Sequence, residues 1–103
     1  MLHLKPMAGT ALDPRADHGY RVYYGILPPG GATAEEAART HRYLMHVPVS
    51  GEDLPSSQFT RRRRELLDFP AEDSGKTAYF SVRYENAKGQ KGPWGPVFTA
   101  VIP

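Results

Sequence analysis

Four consecutive arginines, Arg61, Arg62, Arg63 and Arg64, are the strongest chemical signal in this sequence. Guanidinium groups at that density can bind phosphates, and each phosphate contact would make binding weaken with salt. On a strand, however, alternate residues point to opposite faces, so two arginines would lie on each side. The nearby acidic residues that would screen them are Glu65, Asp68, Glu72 and Asp73. The pattern favours a solvated strand end with cross-strand ion pairs, and nucleic-acid binding is the alternative.

The histidines do not have the spacing of a metal site. His41 and His46 are five residues apart. That spacing misses the shared face of a helix, and on a strand it places the two side chains on opposite faces. Zinc needs three or four converging nitrogen, sulfur or oxygen ligands, and the chain has no cysteine. We therefore expect no metal site and no cofactor.

No arrangement of residues predicts a catalytic reaction. The sequence has no G-x-S-x-G nucleophile elbow, no H-E-x-x-H zinc motif and no Gly-rich phosphate loop. Its acidic pairs are Glu35 and Glu36, Glu52 and Asp53, and Glu72 and Asp73. All three lie at predicted helix starts or in turns, where carboxylates ordinarily act as caps. We expect a protein that is not an enzyme.

Two segments alternate between inward and outward positions in the way that is typical of half-buried strands, residues 20–27 and 76–84. The predicted inward residues are Tyr20, Val22, Tyr24 and Ile26 in the first and Ala78, Phe80, Val82 and Tyr84 in the second. Glycine and proline residues within 86–93 end the hydrogen bonding of the second strand, so a glycine-rich turn follows it. Residues 97–102 then predict a returning strand with Phe98, Ala100 and Ile102 inward.

The remaining elements are shorter. Residues 2–5 predict a strand, and Thr33 and Glu36 have the spacing of a capping box that begins a helix over residues 34–42. Residues 43–49 predict a short strand that Pro48 pushes to a sheet edge. Residues 50–53 predict a turn or a single helical turn. Residues 59–69 predict one strand with Leu67 and Phe69 inward.

The last third of the chain resembles a known family. Residues 75–103 are similar to the C-terminal end of bacterial proteins of unknown function, which follow the pattern GKxxYFxxRxxNxxGxxGPW…AxIP. The same residues resemble the F strand, FG turn and G strand of a fibronectin type III domain, and residues 18–25 resemble its C strand. The sequence departs from the family at Ala78, where a tyrosine is expected, and at Gly95 and Pro96, which interrupt a W-S-x-W-S element.

This resemblance implies an all-β fold, a fibronectin type III or immunoglobulin-like β-sandwich. Such a domain has no helix where residues 34–42 predict one, so we interpret residues 28–50 as a short helical insertion. If strands C and F pair as in the family, Tyr23, Tyr79 and Arg83 share an outward face. Arg83 would then stack on Trp94, as arginines do on the matching tryptophan of cytokine-receptor members. Tyrosine, tryptophan and arginine are enriched at interaction hot spots, so these four residues form the candidate interaction surface. The plainer alternative is that tyrosine simply suits a strand.

Composition indicates one small globular domain over residues 1–103. Hydrophobic residues make up 40% and charged residues 23% of the chain, and the net charge of +2 is too balanced to imply nucleic acid. Without cysteines, a signal sequence or a long apolar run, we expect a cytoplasmic chain with no membrane partner.

Only 19 residues precede Tyr20, which leaves room for one strand where the family has two. An incomplete sandwich predicts a homodimer through a sheet edge or a larger native protein, whose C-terminal domain would be a protein-interaction or scaffolding module.

Overall fold

The computed structural model describes residues 2–4, 19–60, 65–86 and 88–103, and for residues 2–4, 65 and 66 the backbone alone. The elements in these ranges are β1 (Leu2–Leu4), β2 (Gly19–Leu27), α1 (Ala34–Arg39), a first 3₁₀ turn (Gly51–Asp53), β3 (Ser56–Thr60), β4 (Glu65–Leu67), a second 3₁₀ turn (Ala71–Asp73), β5 (Thr77–Glu85) and β6 (Phe98–Val101). The strands form a four-stranded antiparallel sheet of order β3–β2–β5–β6 and a separate antiparallel pair, β1–β4. The described chain is mostly β with little helix, in agreement with the predicted all-β class.

The core lies on one face of the two long central strands, β2 and β5. Their β-branched and aromatic residues suit a pleated surface, and Val22 is opposite Val82 as Tyr24 is opposite Phe80. The buried cluster consists of Tyr20, Val22, Ile26, Leu67, Ala78, Phe80, Val82 and Ile102. Leu67 belongs to β4, so the smaller sheet contributes to the same core. The predicted inward faces of β2 and β5 are confirmed.

The edge strand β6 pairs with β5 and is shorter than the predicted 97–102. The Phe98 ring stacks on the Phe80 ring with centroids 5.4 Å apart. Ala100 packs against the core, and Ile102, just beyond the strand, is buried. The predicted inward face of this strand is therefore confirmed.

Residues 43–49 do not form the predicted strand. Only Tyr43 makes a bridge, which is parallel to Ile26. The amide of Ile26 donates to the Arg42 carbonyl and its carbonyl accepts from the Leu44 amide, each at 2.7 Å. After Leu44 the chain turns away instead of continuing along the sheet, and the Val49 amide donates to the Asp53 carboxylate. The alternation of apolar residues here reflects an irregular surface segment.

The prediction of one strand over residues 59–69 is wrong. β3 ends at Thr60 and pairs with β2, whereas β4 begins at Glu65 and pairs with β1. β3 and β4 therefore belong to different sheets, and a single continuous strand does not account for both pairings. The orientation of its second half is nevertheless confirmed, because Leu67 is buried, Asp68 is exposed and Phe69 packs against the core.

The capping box before α1 is confirmed. The Glu36 amide donates to the Thr33 hydroxyl at 3.1 Å, and the Thr33 amide donates to the Glu36 carboxylate at 2.9 Å. The helix ends at Arg39, three residues earlier than predicted. Arg42 lies outside it because its guanidinium is bonded to the acidic residues of the second 3₁₀ turn. A tertiary ion pair has overridden the high helix propensity of the segment.

Candidate functional site

Three of the four residues of the candidate interaction surface form one stack on the outer face of the larger sheet. The antiparallel register places Arg21 beside Arg83 and Tyr23 beside Ser81, so these side chains share that face. The guanidinium carbon of Arg83 lies 3.8 Å from the Trp94 ring centroid and 5.1 Å from that of Tyr23. The Tyr23 and Trp94 rings meet edge to face at 4.5 Å. The cation–π contact predicted from the sequence is therefore present, well within the distance limit of about 6 Å.

The chain itself covers much of this stack. A Cβ at Gly51 would overlap the Trp94 ring, so the first 3₁₀ turn packs directly on the tryptophan. The Ser81 hydroxyl, fully buried beneath, donates to the Gly95 carbonyl at 3.0 Å. The Gly95 amide in turn donates to the Val82 carbonyl at 2.9 Å. The stack fastens the segment before β6 to the sheet, and its ring faces are largely used within the chain.

Tyr79, the fourth predicted residue, is on the same face of β5 but outside the stack. It lies opposite Gly25 on β2 and opposite Thr99 on β6. Among the described residues it makes no ring contact with Tyr23 or Trp94. The structure thus divides the predicted surface into a stack of three residues and a separate, half-buried tyrosine.

A buried carboxylate, Asp73, forms the densest polar cluster of the described chain. Its oxygens accept hydrogen bonds from Arg42 Nε at 2.7 Å, the Tyr43 hydroxyl at 2.6 Å and Lys76 Nζ at 3.2 Å. Burial alone would raise the pKa of Asp73, but the hydrogen bonds from these three donors outweigh it and lower that pKa. The hydrogen bond to Asp73 raises the pKa of Arg42, whereas the pKa of Lys76 is raised first by its hydrogen bond to the Tyr43 hydroxyl and then by its contact with Asp73. Asp73 is therefore held ionised, as an acceptor with three partners and not as a proton-transfer group.

A second ion pair bridges the central strands at their other end. Arg21 donates to both carboxylate oxygens of Glu85, at 2.9 and 3.0 Å. These hydrogen bonds are the main cause that lowers the pKa of Glu85, and Lys91 Nζ adds a contact at 3.6 Å. The Arg21 guanidinium also lies 5.9 Å from the Phe59 ring centroid. The buried acids Asp73 and Glu85 are thus both paired with cations of the chain itself.

The sequence analysis missed an exposed apolar segment, residues 45–49. Met45 is 44% exposed, Val47 60% and Val49 91%. They border a shallow cavity of about 320 Å³ whose walls also include Ala37, Tyr43, Leu44, His46, Pro48, Asp53 and Pro55. Leu44 and Pro48 are buried and anchor the segment, which leaves Met45, Val47 and Val49 exposed. The sequence predicted a short edge strand over residues 43–49, and that prediction did not indicate an exposed apolar surface.

The other chemical signals of the sequence do not converge. No group of three or more His, Asp or Glu side chains that could hold a metal ion occurs in the described part of the chain. His41 and His46 are exposed, and Arg61, Arg62, Arg63 and Arg64 lie outside the described residues. Within the ranges described, no helix is both long enough and apolar enough to cross a membrane. Nothing matches the chain in comparisons with protein families, with curated proteins or with solved structures.

Proposed function

We propose that this chain is a non-catalytic protein-interaction or scaffolding module with a fibronectin type III-like sandwich fold. In that interpretation β2, β5 and β6 take the places of strands C, F and G, which are neighbours in one sheet of such a fold. β4 takes the place of strand E, in the other sheet. Two observations support the assignment: the order β2–β5–β6 and the packing of Leu67 from the smaller sheet into the core of the larger one.

The exposed segment 45–49 is the single observation that carries the function. Three large apolar side chains, Met45, Val47 and Val49, remain in solvent next to a cavity although the rest of the core is well buried. Contiguous exposed apolar surface beside a concave site is typical of protein-binding surfaces. The partner chemistry that fits is a protein segment that inserts an apolar side chain into the cavity and covers Val47 and Val49.

The polar groups around this cavity suit binding better than reaction. The Asp53 carboxylate accepts from the amides of Val49 and Ser50, at 2.9 and 3.4 Å, so it holds the loop in place. His46 is exposed on the wall. A nucleophile and a base in hydrogen-bonding contact, the usual mark of a catalytic site, do not occur among the described residues that line the cavity.

Site-specific photo-cross-linking tests this function. A benzophenone amino acid is placed at Val49, or at exposed Ser57 on β3 as the control position, in the full chain within its native cell extract. We expect a defined adduct from position 49 only. Excess unlabelled wild-type protein should compete for the partner and suppress formation of the adduct at least tenfold more effectively than the Val47→Asp protein. Val47 is exposed, so this substitution should leave the fold intact.

Two results would overturn the proposal. The first is an equal pattern of adducts from both positions with no competition. The second is tight oligonucleotide binding that falls steeply with salt and is lost when Arg61, Arg62, Arg63 and Arg64 are replaced by serine, which would establish the nucleic-acid alternative instead.

A further inference from the structure

The hydrogen bonds between β6 and β5 show which backbone groups of β6 remain on its outer edge. The Ile102 amide donates to the Lys76 carbonyl at 2.9 Å, across the ladder with β5. On the same side of β5, the Val82 and Tyr84 carbonyls accept from the amides of Gly95 and Gly92. The backbone amides and carbonyls of the even-numbered residues of β5 therefore point toward β6. Antiparallel ladders alternate, and the amides and carbonyls of Phe98, Ala100 and Ile102 therefore face β5. Those of Thr99 and Val101 face away from the sheet.

This edge lacks the features that normally block pairing with another strand. Residues 97–102 contain no charge, no glycine and no proline. Val101 is 64% exposed and Phe98 37%. Natural edge strands are usually protected by charged side chains, proline or bulges.

We propose that β6 pairs antiparallel with β6 of a second copy of this chain, about a two-fold axis at Ala100. Thr99 would then exchange two hydrogen bonds with Val101 of the partner subunit, and Val101 would do so with the partner subunit's Thr99. These are the two residues whose backbone groups face outward. Pro96 and Pro103 bracket the pairing, since neither has an amide proton to donate.

A second copy fits this strand better than an arbitrary peptide because the strand is complementary to itself. The two-fold axis brings only alanine methyl groups together at its centre and aligns two pairs of β-branched side chains on one face. It brings no like charges together, and it closes the contact at two subunits. Only two residues of each strand form hydrogen bonds across the axis, so we expect a small contact, with a dimer that forms at high concentration and dissociates on dilution.

The inference deepens the proposed protein-binding role and rests on it only in naming a protein as the partner. β6 and segment 45–49 share no residue. A failed dimer would leave the cross-linking result at Val49 intact, and a failed cross-link would leave the dimer intact.

Sedimentation equilibrium of the full chain tests the dimer. We expect a reversible monomer–dimer equilibrium, and we expect Val101→Lys to raise the dissociation constant at least tenfold. Gln58→Lys is the matched control, because it introduces the same charge at an exposed position of β3, outside both proposed contact surfaces. A wild-type protein that stays monomeric up to millimolar concentration overturns the proposal. A dimer that Val101→Lys and Gln58→Lys weaken equally also overturns it.

A disulfide test addresses the register independently of affinity. The chain has no cysteine, so one introduced thiol is unique. Ala100 would be a non-hydrogen-bonded pair with its copy, at a Cα separation of about 4.5 Å, which a disulfide can span. Mild oxidation should link Ala100→Cys into a dimer at least tenfold faster than Ser57→Cys on the opposite edge. Equal rates from the two positions would contradict the proposed axis.

Discussion

Removal of the Asp73 carboxylate should cost more stability than removal of any other acidic side chain in the described chain. In Asp73→Ala, Arg42 and Lys76 lose a fully buried counter-charge, and Tyr43 loses its acceptor at 2.6 Å. Breaking a buried ion pair from one side typically costs about 3–5 kcal/mol. The side chains of Arg42 and Lys76 are 26% and 21% exposed, so water partly replaces the lost contact. We therefore expect a loss of about 3 kcal/mol in the free energy of unfolding, at the lower end of that range.

Glu72→Ala is the matched control. Glu72 is also an acid bonded to Arg42, at 3.1 Å, but its side chain is 70% exposed. An exposed ion pair contributes about 0–1 kcal/mol, so this variant should remain close to wild type. Urea denaturation followed by the fluorescence of Trp94, the only tryptophan, measures both variants in one assay. At about 4–8 °C per kcal/mol, Asp73→Ala should also melt at least about 12 °C lower.

The pH dependence of this stability loss tests whether the charge of Asp73 is its cause. The pKa of Asp73 is lowered in the folded protein. Its contribution is therefore fully present above the unfolded value of about 3.9 and is lost as pH falls through the lower folded pKa. The difference between wild type and Asp73→Ala should be constant from pH 5 to 7 and should shrink below about pH 3.9. A difference within about 1 kcal/mol of the Glu72→Ala effect, or one that does not change with pH, would refute this account.

Three further predictions concern the core, the stack and the helix. Phe80→Ala should lose about 3–5 kcal/mol in urea denaturation because Phe80 is fully buried, and a melting point within two degrees of wild type would exclude the observed register. A double-mutant cycle of Arg83→Met and Trp94→Leu should give a coupling energy of about 0.5–2 kcal/mol, and no coupling would mean that the 3.8 Å contact is energetically neutral. Thr33→Ala should cost about 1 kcal/mol because it removes the hydroxyl that accepts from the Glu36 amide, whereas Thr33→Ser should be nearly neutral by thermal denaturation.

The parts of the fold that follow from local chemistry were predictable. The alternation in β2 and β5 identified the buried face, and the spacing of Thr33 and Glu36 identified the start of α1. The errors lie where pairing partners are distant. Nothing in residues 59–69 shows that Thr60 pairs with β2 while Glu65 pairs with β1, because register depends on strands far away in sequence.

The contacts of the candidate sites likewise divide into those that the sequence could predict and those that depend on residues distant in the chain. The Arg83–Trp94 contact could be predicted because the family resemblance supplied the partner across the turn. The Asp73 cluster could not be predicted, since Arg42 and Tyr43 are more than 25 residues away and the Glu72–Asp73 pair looks like an ordinary turn. Segment 45–49 was misjudged for a related reason, because an alternating apolar pattern does not tell whether a neighbouring strand is there to cover it.

Residues 33–41 form an exchangeable segment between two anchored ends. The Ala32 amide donates to the Leu44 carbonyl and the Arg42 carbonyl accepts from the Ile26 amide, so the two ends lie close together. The helix α1 contributes no buried residue. The entropic cost of closing such a segment grows only slowly with its length, by about 0.6 kcal/mol for each doubling. Peptides of different length and sequence can therefore be grafted between Ala32 and Arg42, which keeps buried Ala32 and the Arg42–Asp73 ion pair, while the sheet beneath keeps its register.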